Sequence, residues 1–412
     1  MLRGSVAWVC RGTLVAILLA AGASGVQASV APSRPCGAAS CSHAGTIRWQ
    51  ELLPGAYAVH NDSRGTVPVS GEPYAAIGAN VAVFGLGLAV TAYNAKTGTP
   101  RWTVQLKAPR RGGQIVSARV WPGVVTVGVA AADAPYSARS AQTEVVLDAS
   151  DGRLIRSYPR IAFGGAVAAD ARRTVVVGPG AVTSYDNRSG RVIWRRPTGG
   201  APQRWELDGH FVYVAVAAGG YLSAVPVTAL RKIDLRSGAQ RVIPPRSRAF
   251  AGTLSAALAG VVLFTKSAGV TAYSGRTGHR LWHRAQAVPQ AVDLVRKRFY
   301  LSTQTMVAEV DPSGRVVSRL PGSSGLYGER GGVAFGLDQG ANGQAWAVDA
   351  ASKRVVWSTG SLPWPHVFVD LSGLGGSADP RSDAIILMTC GQAALSVSPP
   401  QCAKPELVVI NR

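Results

Sequence analysis

Residues 92–102 set a small residue, a turn former, a glycine and a tryptophan at fixed spacing: Ala92, Asn94, Gly98 and Trp102. The same register returns as Ser184, Asp186, Gly190 and Trp194, and again as Ala272, Ser274, Gly278 and Trp282. Another copy reads Ala347, Asp349, Lys353 and Trp357, with Lys at the glycine position. Degenerate copies fill the gaps. Asp148 and Gly152 precede Arg156 where Trp is expected, and Asp234 and Gly238 precede Val242. Asp311 and Gly314 form a turn one residue shorter. The glycine positions 98, 152, 190, 238, 278, 314 and 353 lie 36 to 54 residues apart. A period of about 45 residues built from short strands is the signature of a β-propeller with four-stranded blades.

Each unit has a direct physical reading. The apolar run before the Asp or Asn alternates as one strand. The Asp caps the turn through backbone amides, and Gly takes the positive φ that the turn needs. The next strand carries the Trp, whose area packs against a neighbouring blade. The chain ends hold two halves of one more unit. Gly45 and Trp49 stand four apart, as in the second half of the frame, and 405–412 ends with Asn411 at the Asp position. The expectation is therefore an all-β, eight-bladed propeller of four-stranded antiparallel sheets over 45–412. A blade shared between the termini would close the ring and remove its free edge. Seven blades is the alternative, if the unit near Asp234 is an insertion.

The frame resembles the tryptophan-docking repeat of the PQQ-like (quinoprotein-type) β-propeller family. Ala92–Trp102 and Ala272–Trp282 carry the resemblance most fully, with Ser184–Trp194 next. It implies the fold for nearly the whole chain. For function it implies either a dehydrogenase holding PQQ and Ca²⁺ on the axis, or a cofactor-free scaffold or binding protein of the cell envelope. The dehydrogenases resembling this repeat often carry adjacent cysteines over the quinone, and this sequence has none. Asp148, Asp186, Asp234, Asp311 and Asp349 are assigned to repeat turns, while Glu144, Glu206, Glu309 and Glu329 show no partner pattern. The expected function is a non-catalytic binding or scaffold role with no catalytic, cofactor-binding or metal residues. A PQQ-dependent dehydrogenase is the alternative. No G-x-S-x-G elbow, H-E-x-x-H or P-loop occurs. His279 and His283 are expected to share one strand face, in a packing role.

The N-terminus reads as a secretory signal over residues 1–28. Arg3 and Arg11 flank the start of the apolar run 13–23, and Val26-Gln27-Ala28 offers a cleavage site before Ser29. An uncleaved anchor is the alternative and the one expected route to a membrane. The formal charge of +21 comes from 43 basic and 22 acidic residues, and loss of residues 1–28 leaves +19. The arginines are scattered, with short runs at Arg110-Arg111, Arg195-Arg196 and Arg296-Lys297-Arg298. That pattern argues against specific nucleic-acid binding. It fits an anionic cell-wall polymer or an envelope protein as partner, engaged by a monomer.

Four cysteines follow the signal: Cys36 and Cys41 in the segment 29–44, and Cys390 and Cys402 near the C-terminus. An exported chain with an even count favours disulfides over metal. Local pairing, Cys36 to Cys41 and Cys390 to Cys402, is preferred over cross-pairing. Either pattern flanks the join between chain ends. Reduction is therefore expected to lower the melting temperature by several degrees, measured by differential scanning calorimetry with and without reductant. An unchanged melting temperature would rule out a closing role for these bonds.

Overall fold

The computed structural model describes residues 47–411 except for 53–56, 59–60, 63–64, 67–73, 79, 108–112, 132–141, 162–165, 218–225, 247–248, 268, 295, 304–305, 321–325, 331–332, 338–344, 350–351, 353, 359–366, 369–383, 391–392, 395–400 and 403–404. Among the described residues there is no helix. They form eight four-stranded antiparallel sheets, seven of them meanders of four consecutive strands. The meanders span 74–105, 113–161, 166–197, 201–243, 253–285, 288–320 and 326–358. The eighth sheet is assembled from both ends of the chain. Ile47–Leu52 pairs with Pro405–Asn411, which pairs with Ala384–Cys390, which pairs with Val367–Phe368. The unit around Asp234 is a full sheet and not an insertion.

The first strand of each meander lies innermost. Tyr74–Ile77 packs on Gly113–Trp121, and Ala201–Asp208 packs on Thr253–Leu258. Val288–Asp293 then meets both Thr253–Leu258 and Leu326–Arg330. Fourth strands lie at the rim. The split sheet adjoins the first meander through Ala384–Cys390 and Tyr74–Ile77. Second and third strands supply the core, with runs such as Val125, Val127 and Val129 fully buried.

The frame explains how successive sheets lock. In four copies the small residue pairs directly across from the Trp: Ala92 with Trp102, Ser184 with Trp194, Ala272 with Trp282 and Ala347 with Trp357. All four small residues are fully buried, and at Ala92, Ser184 and Ala272 a larger side chain would meet the indole opposite. The indole then lies on the turn glycine of the next sheet. A Cβ placed on Gly98 would stand 2.8 Å from the Trp49 ring, on Gly152 2.6 Å from Trp102, on Gly238 2.7 Å from Trp194 and on Gly314 2.6 Å from Trp282. The indole N–H donates to a carbonyl of the same turn: Trp49 to Ala95 at 3.0 Å, Trp102 to Ala149 at 3.2 Å and Trp282 to Pro312 at 3.0 Å.

Where the sequence lacks the Trp, the structure substitutes another contact. The Arg156 guanidinium lies 3.0 Å from a Cβ placed on Gly190 and donates to the Arg188 carbonyl at 3.0 Å. Gly278 instead faces the Pro244 carbonyl, beyond the copy that ends in Val242. Trp194 differs in one respect. Its indole nitrogen has no partner, and the equivalent Leu235 carbonyl accepts from Arg173 Nη1 at 3.0 Å.

A β-bulge sits just before the Trp position in seven of the eight rim strands. The extra residues are Arg48, Arg101, Ile155, Ile193, Leu281, Val317 and Val356. Bulge placement explains why Ile193, Leu281, Val317 and Val356 are exposed although aliphatic. A bulged, twisted edge also resists pairing with other chains.

Gly45, Cys36, Cys41 and Lys353 lie outside the described residues. Cys390 ends the strand Ala384–Cys390, and Cys402 lies in Gln401–Cys402, which pairs with Tyr57–Ala58. The side chains of Cys390, Cys402 and Trp357 lie outside the described set. His279 corrects one expectation: it falls in the turn ahead of the strand Arg280–Ala285, so it does not share a strand face with His283. His283 Nδ1 instead lies 3.0 Å from the Thr271 hydroxyl.

Gly152 has φ +73° beneath the Trp102 ring. Gly152→Ala combines a left-handed backbone with displacement of that ring. It is expected to cost about 2–4 kcal/mol, read from urea unfolding. A loss below about 0.5 kcal/mol, the scale of a neutral surface change, would show that the wedge does not hold these sheets together.

Candidate functional site

In a four-stranded meander the first and third turns fall at the same end of the sheet. One face of the propeller therefore collects the turns 78–80, 122–123, 171–172 and 209–210 with the Asp-to-Gly turns of the repeat. The repeat acids are spent on backbone there. Asn94 Oδ1 accepts from the Lys96 and Thr97 amides, and Asp234 Oδ1 from the Arg236 and Ser237 amides. Asp148 accepts from Ser150, Asp186 from Ser189, Asp311 from Ser313, and Asp349 from the Ser352 amide. These bonds hold the carboxyls of Asp148, Asp186, Asp234 and Asp311 below the usual carboxylate range.

The cations of the same turns point outward. Lys96, Arg188, Arg236 and Arg276 occupy the position two residues after the cap in four turns, and all four are exposed. Arg172, Lys297, Arg315 and Arg354 are exposed on the same face. Between the first two meanders this face opens into a groove of about 630 Å³, lined by Asn80, Lys96, Arg101, Trp121, Asp148 and Ser150 among others.

Part of the basic excess is structural. Arg196 Nε donates to the Gly238 carbonyl at 2.5 Å, and Arg284 Nη2 to the Gly314 carbonyl at 2.5 Å. Both stand two residues after a docking Trp, so each pins the turn that the indole covers. Arg296 of the short basic run bonds Asp293 at 2.6 Å and Tyr300 at 2.6 Å. The sequon asparagine Asn187 is buried and bonded to Tyr158, Thr174 and the Asp170 carbonyl. It offers no site for a glycan.

Two acids that showed no pattern in the sequence are fully buried. Glu144 and Glu206 are 1 % and 2 % exposed, and each has one carboxyl oxygen without a partner. Burial pushes the Glu144 carboxyl up to about 7 against the pull of Arg119, the Ala166 amide and Thr126. Burial pushes Glu206 up to about 8, opposed by Arg204 and Arg119. Arg119 lies 5.0 Å over the Trp205 ring and donates to the Ala166 carbonyl at 2.8 Å. Asp208 reaches across to the next sheet, accepting from the Ala259 and Gly260 amides at 2.9 and 2.8 Å. Only a signal weak in isolation, an acid flanked by a glycine turn in "ELDGH", marks Asp208 in the sequence.

The donor set for a quinone with calcium does not assemble among the described residues. The repeat aspartates are committed to turns, and Glu144 and Glu206 sit on different sheets. No group of three or more His, Cys, Asp or Glu that could hold a metal occurs among the described residues.

The fold and the repeat define a PQQ-like repeat β-propeller. Residues 124–359, more than half of the chain, match the family described as outer membrane protein assembly factor BamB, and the chain belongs to that family. Among solved structures it is similar to BamB from Moraxella catarrhalis, at 19% identity and TM-score 0.42, covering 73% of this chain and 95% of that one. It is also similar to the dihydro-heme d1 dehydrogenase NirN, at 15% identity and TM-score 0.51, covering 80% and 76%. The computationally designed Ika8 protein is similar at 12% identity and TM-score 0.52, covering 84% and 98%. No curated protein matches the chain. Likenesses at these identities speak to the fold alone.

The buried glutamates fix a pH dependence. Their folded values lie above the ordinary 4.5, so the native state holds protons that the unfolded chain releases. Stability from these two groups is complete below about pH 4.5 and declines as pH rises towards 7 and 8. The depressed aspartates act in the opposite sense and lose their contribution below the ordinary aspartate value. Glu206→Gln is expected to flatten the decline of melting temperature between pH 5 and 8 and to raise stability at pH 8. Parallel wild-type and variant profiles would contradict the burial account.

Proposed function

We propose that the chain is an exported, non-catalytic β-propeller that binds an anionic cell-wall polymer at the cell envelope through its turn face. The observation that carries this reading is the exposure of Lys96, Arg188, Arg236 and Arg276 at one repeated turn position, beside the caps Asn94, Asp186, Asp234 and Ser274, whose oxygens already take backbone amides. The face therefore offers unspent positive charge at repeated spacing, suited to a repeating negative charge on a flexible chain. The net charge of +21, or +19 once Arg3 and Arg11 leave with residues 1–28, adds a long-range attraction of the same sign. Membership of a family described by an outer membrane assembly factor supports an envelope setting and a binding role. The chain acts as a monomer in this reading, with residues 1–28 removed as a signal peptide.

Retention on purified anionic wall polymer should fall with rising salt. A variant with Lys96, Arg188, Arg236 and Arg276 changed to Ala should elute at clearly lower salt while keeping the wild-type melting temperature. Equal elution of the two proteins would overturn the face assignment. Sequencing of the secreted protein should begin at Ser29, and recovery of the intact N-terminus in the cytoplasm would remove the export reading.

A further inference from the structure

The groove between the 74–105 and 113–161 sheets differs from the turns around it. Where later turns carry Arg188, Arg236 and Arg276, this one carries Ser150, and the short side chain leaves the space open. The cavity of about 630 Å³ falls within the ~300–1,000 Å³ range of small-ligand sites. Lys96 at its edge is exposed and forms no ion pair among the described residues. Arg101 is exposed and donates to the Asn80 carbonyl at 3.4 Å, a long bond that leaves its charge available.

The opposite wall has the other polarity. Asp148 Oδ1 takes the Ser150 amide and hydroxyl, and Oδ2 stands 3.7 Å from Arg153. Its carboxyl is held ionised, chiefly by Ser150. Oδ2 therefore remains a charged acceptor facing a cavity whose other side is cationic. A bare inorganic anion would gain from Lys96 and Arg101 and lose against Asp148. A ligand that joins one acid group to several hydroxyls satisfies both walls: the acid meets Lys96 and Arg101, and hydroxyls donate to Asp148 and exchange bonds with Asn80 and Asn94. Val81, Val120, Trp121 and Pro122 add apolar lining, although Trp121 itself is only 6 % exposed.

We infer that this groove is a subsite for one acidic sugar unit, a polyhydroxylated ring bearing a carboxylate or phosphate. The inference rests on the anionic-polymer reading of the turn face and adds to it the residue class of the polymer. Charge along the face supplies general attraction, and the groove supplies recognition of a single unit.

Isothermal titration tests this with trigalacturonic acid, glucose 6-phosphate, maltotriose and inorganic phosphate as separate probes. The expected result is binding of the carboxylate sugar, the phosphate sugar or both, with maltotriose and inorganic phosphate at least about tenfold weaker. Which of the two sugars binds more tightly identifies the acid. Lys96→Met and Arg101→Met should each weaken the sugar acid about tenfold, whereas Arg319→Ala, an exposed arginine on the strand Val316–Leu320 away from the groove, should leave it unchanged. Lys96 is an exposed turn residue, so Lys96→Met keeps the test intact if Arg101→Met fails to fold. Inorganic phosphate binding as tightly as the sugar acids would overturn the sugar inference. So would sugar-acid binding that Arg319→Ala weakens and Lys96→Met does not. If no sugar acid binds while salt-dependent retention on wall polymer persists, the groove inference falls and the proposed function stands. Loss of both removes the two together.

Discussion

An indole lying flat on a glycine turn of the next sheet is the interaction on which the rest of this structure depends. A β-sheet buries one face only by covering it with another element, and a propeller covers each blade with the next. The join must be tight and must repeat. Trp49 on Gly98, Trp102 on Gly152, Trp194 on Gly238 and Trp282 on Gly314 meet that need with one geometry. Glycine is required twice over at these turns: φ is between +70° and +89°, and any Cβ would enter the ring. A buried Ala or Ser across from Trp102, Trp194 and Trp282, and the buried Val409 across from Trp49, give the indole its seat on the near side. Three positions of the frame thus define both halves of every such junction.

The departures from the frame show which part of it is indispensable. Arg156 replaces Trp and still presents a flat, delocalised group to Gly190 and still donates to a turn carbonyl. Planarity and a donor are what the junction uses, and guanidinium supplies both. At Trp194 the ring keeps its seat with no bond from its N–H, while the matching carbonyl accepts from Arg173, so packing area sustains that contact. The 201–243 sheet has neither a docking Trp nor a rim bulge, and Gly278 closes against backbone instead. Every rim Trp follows a bulge, and so do Arg156 and Ser318 at the same position; the extra residue lets the rim strand twist and brings the next side chain towards the neighbouring turn.

The architecture was legible in the sequence because each signal is local. Asp, Gly and Trp lie within a dozen residues, and their roles follow from turn chemistry and side-chain area. The split sheet was legible for the same reason, as two half-frames at the chain ends that pair as Ile47–Leu52 with Pro405–Asn411. The candidate site was much less so. The groove depends on Ser150 standing beside Asn80 and Arg101, residues 49 to 70 positions away in sequence, and no local pattern links them. Arg119 reaching Trp205, and Asp208 capping the Ala259 turn, are contacts between sheets that only the tertiary arrangement creates. The buried state of Glu144 and Glu206 was invisible because an acid in an alternating strand reads the same whether its face meets water or another sheet.

Charge is divided in this molecule by function rather than by region. The described turn aspartates are short, and a short carboxylate reaches backbone amides of its own turn, so their charge is consumed within the fold. Arginine and lysine at the neighbouring positions are long: Arg153 and Arg315 fold back on Asp148 and Asp311 of their own turns, whereas Lys96, Arg188, Arg236 and Arg276 extend outward and are exposed. The repeat therefore gathers scattered charge onto one face, where the aspartates bond their own turns and four repeated cations stay exposed. Other arginines serve the fold: Arg156, Arg196 and Arg284 on rim strands, and Arg119 and Arg173 on inner strands, donate to the backbone of the next sheet. Position within the repeat, and not the total of +21, decides which cations remain available to a partner.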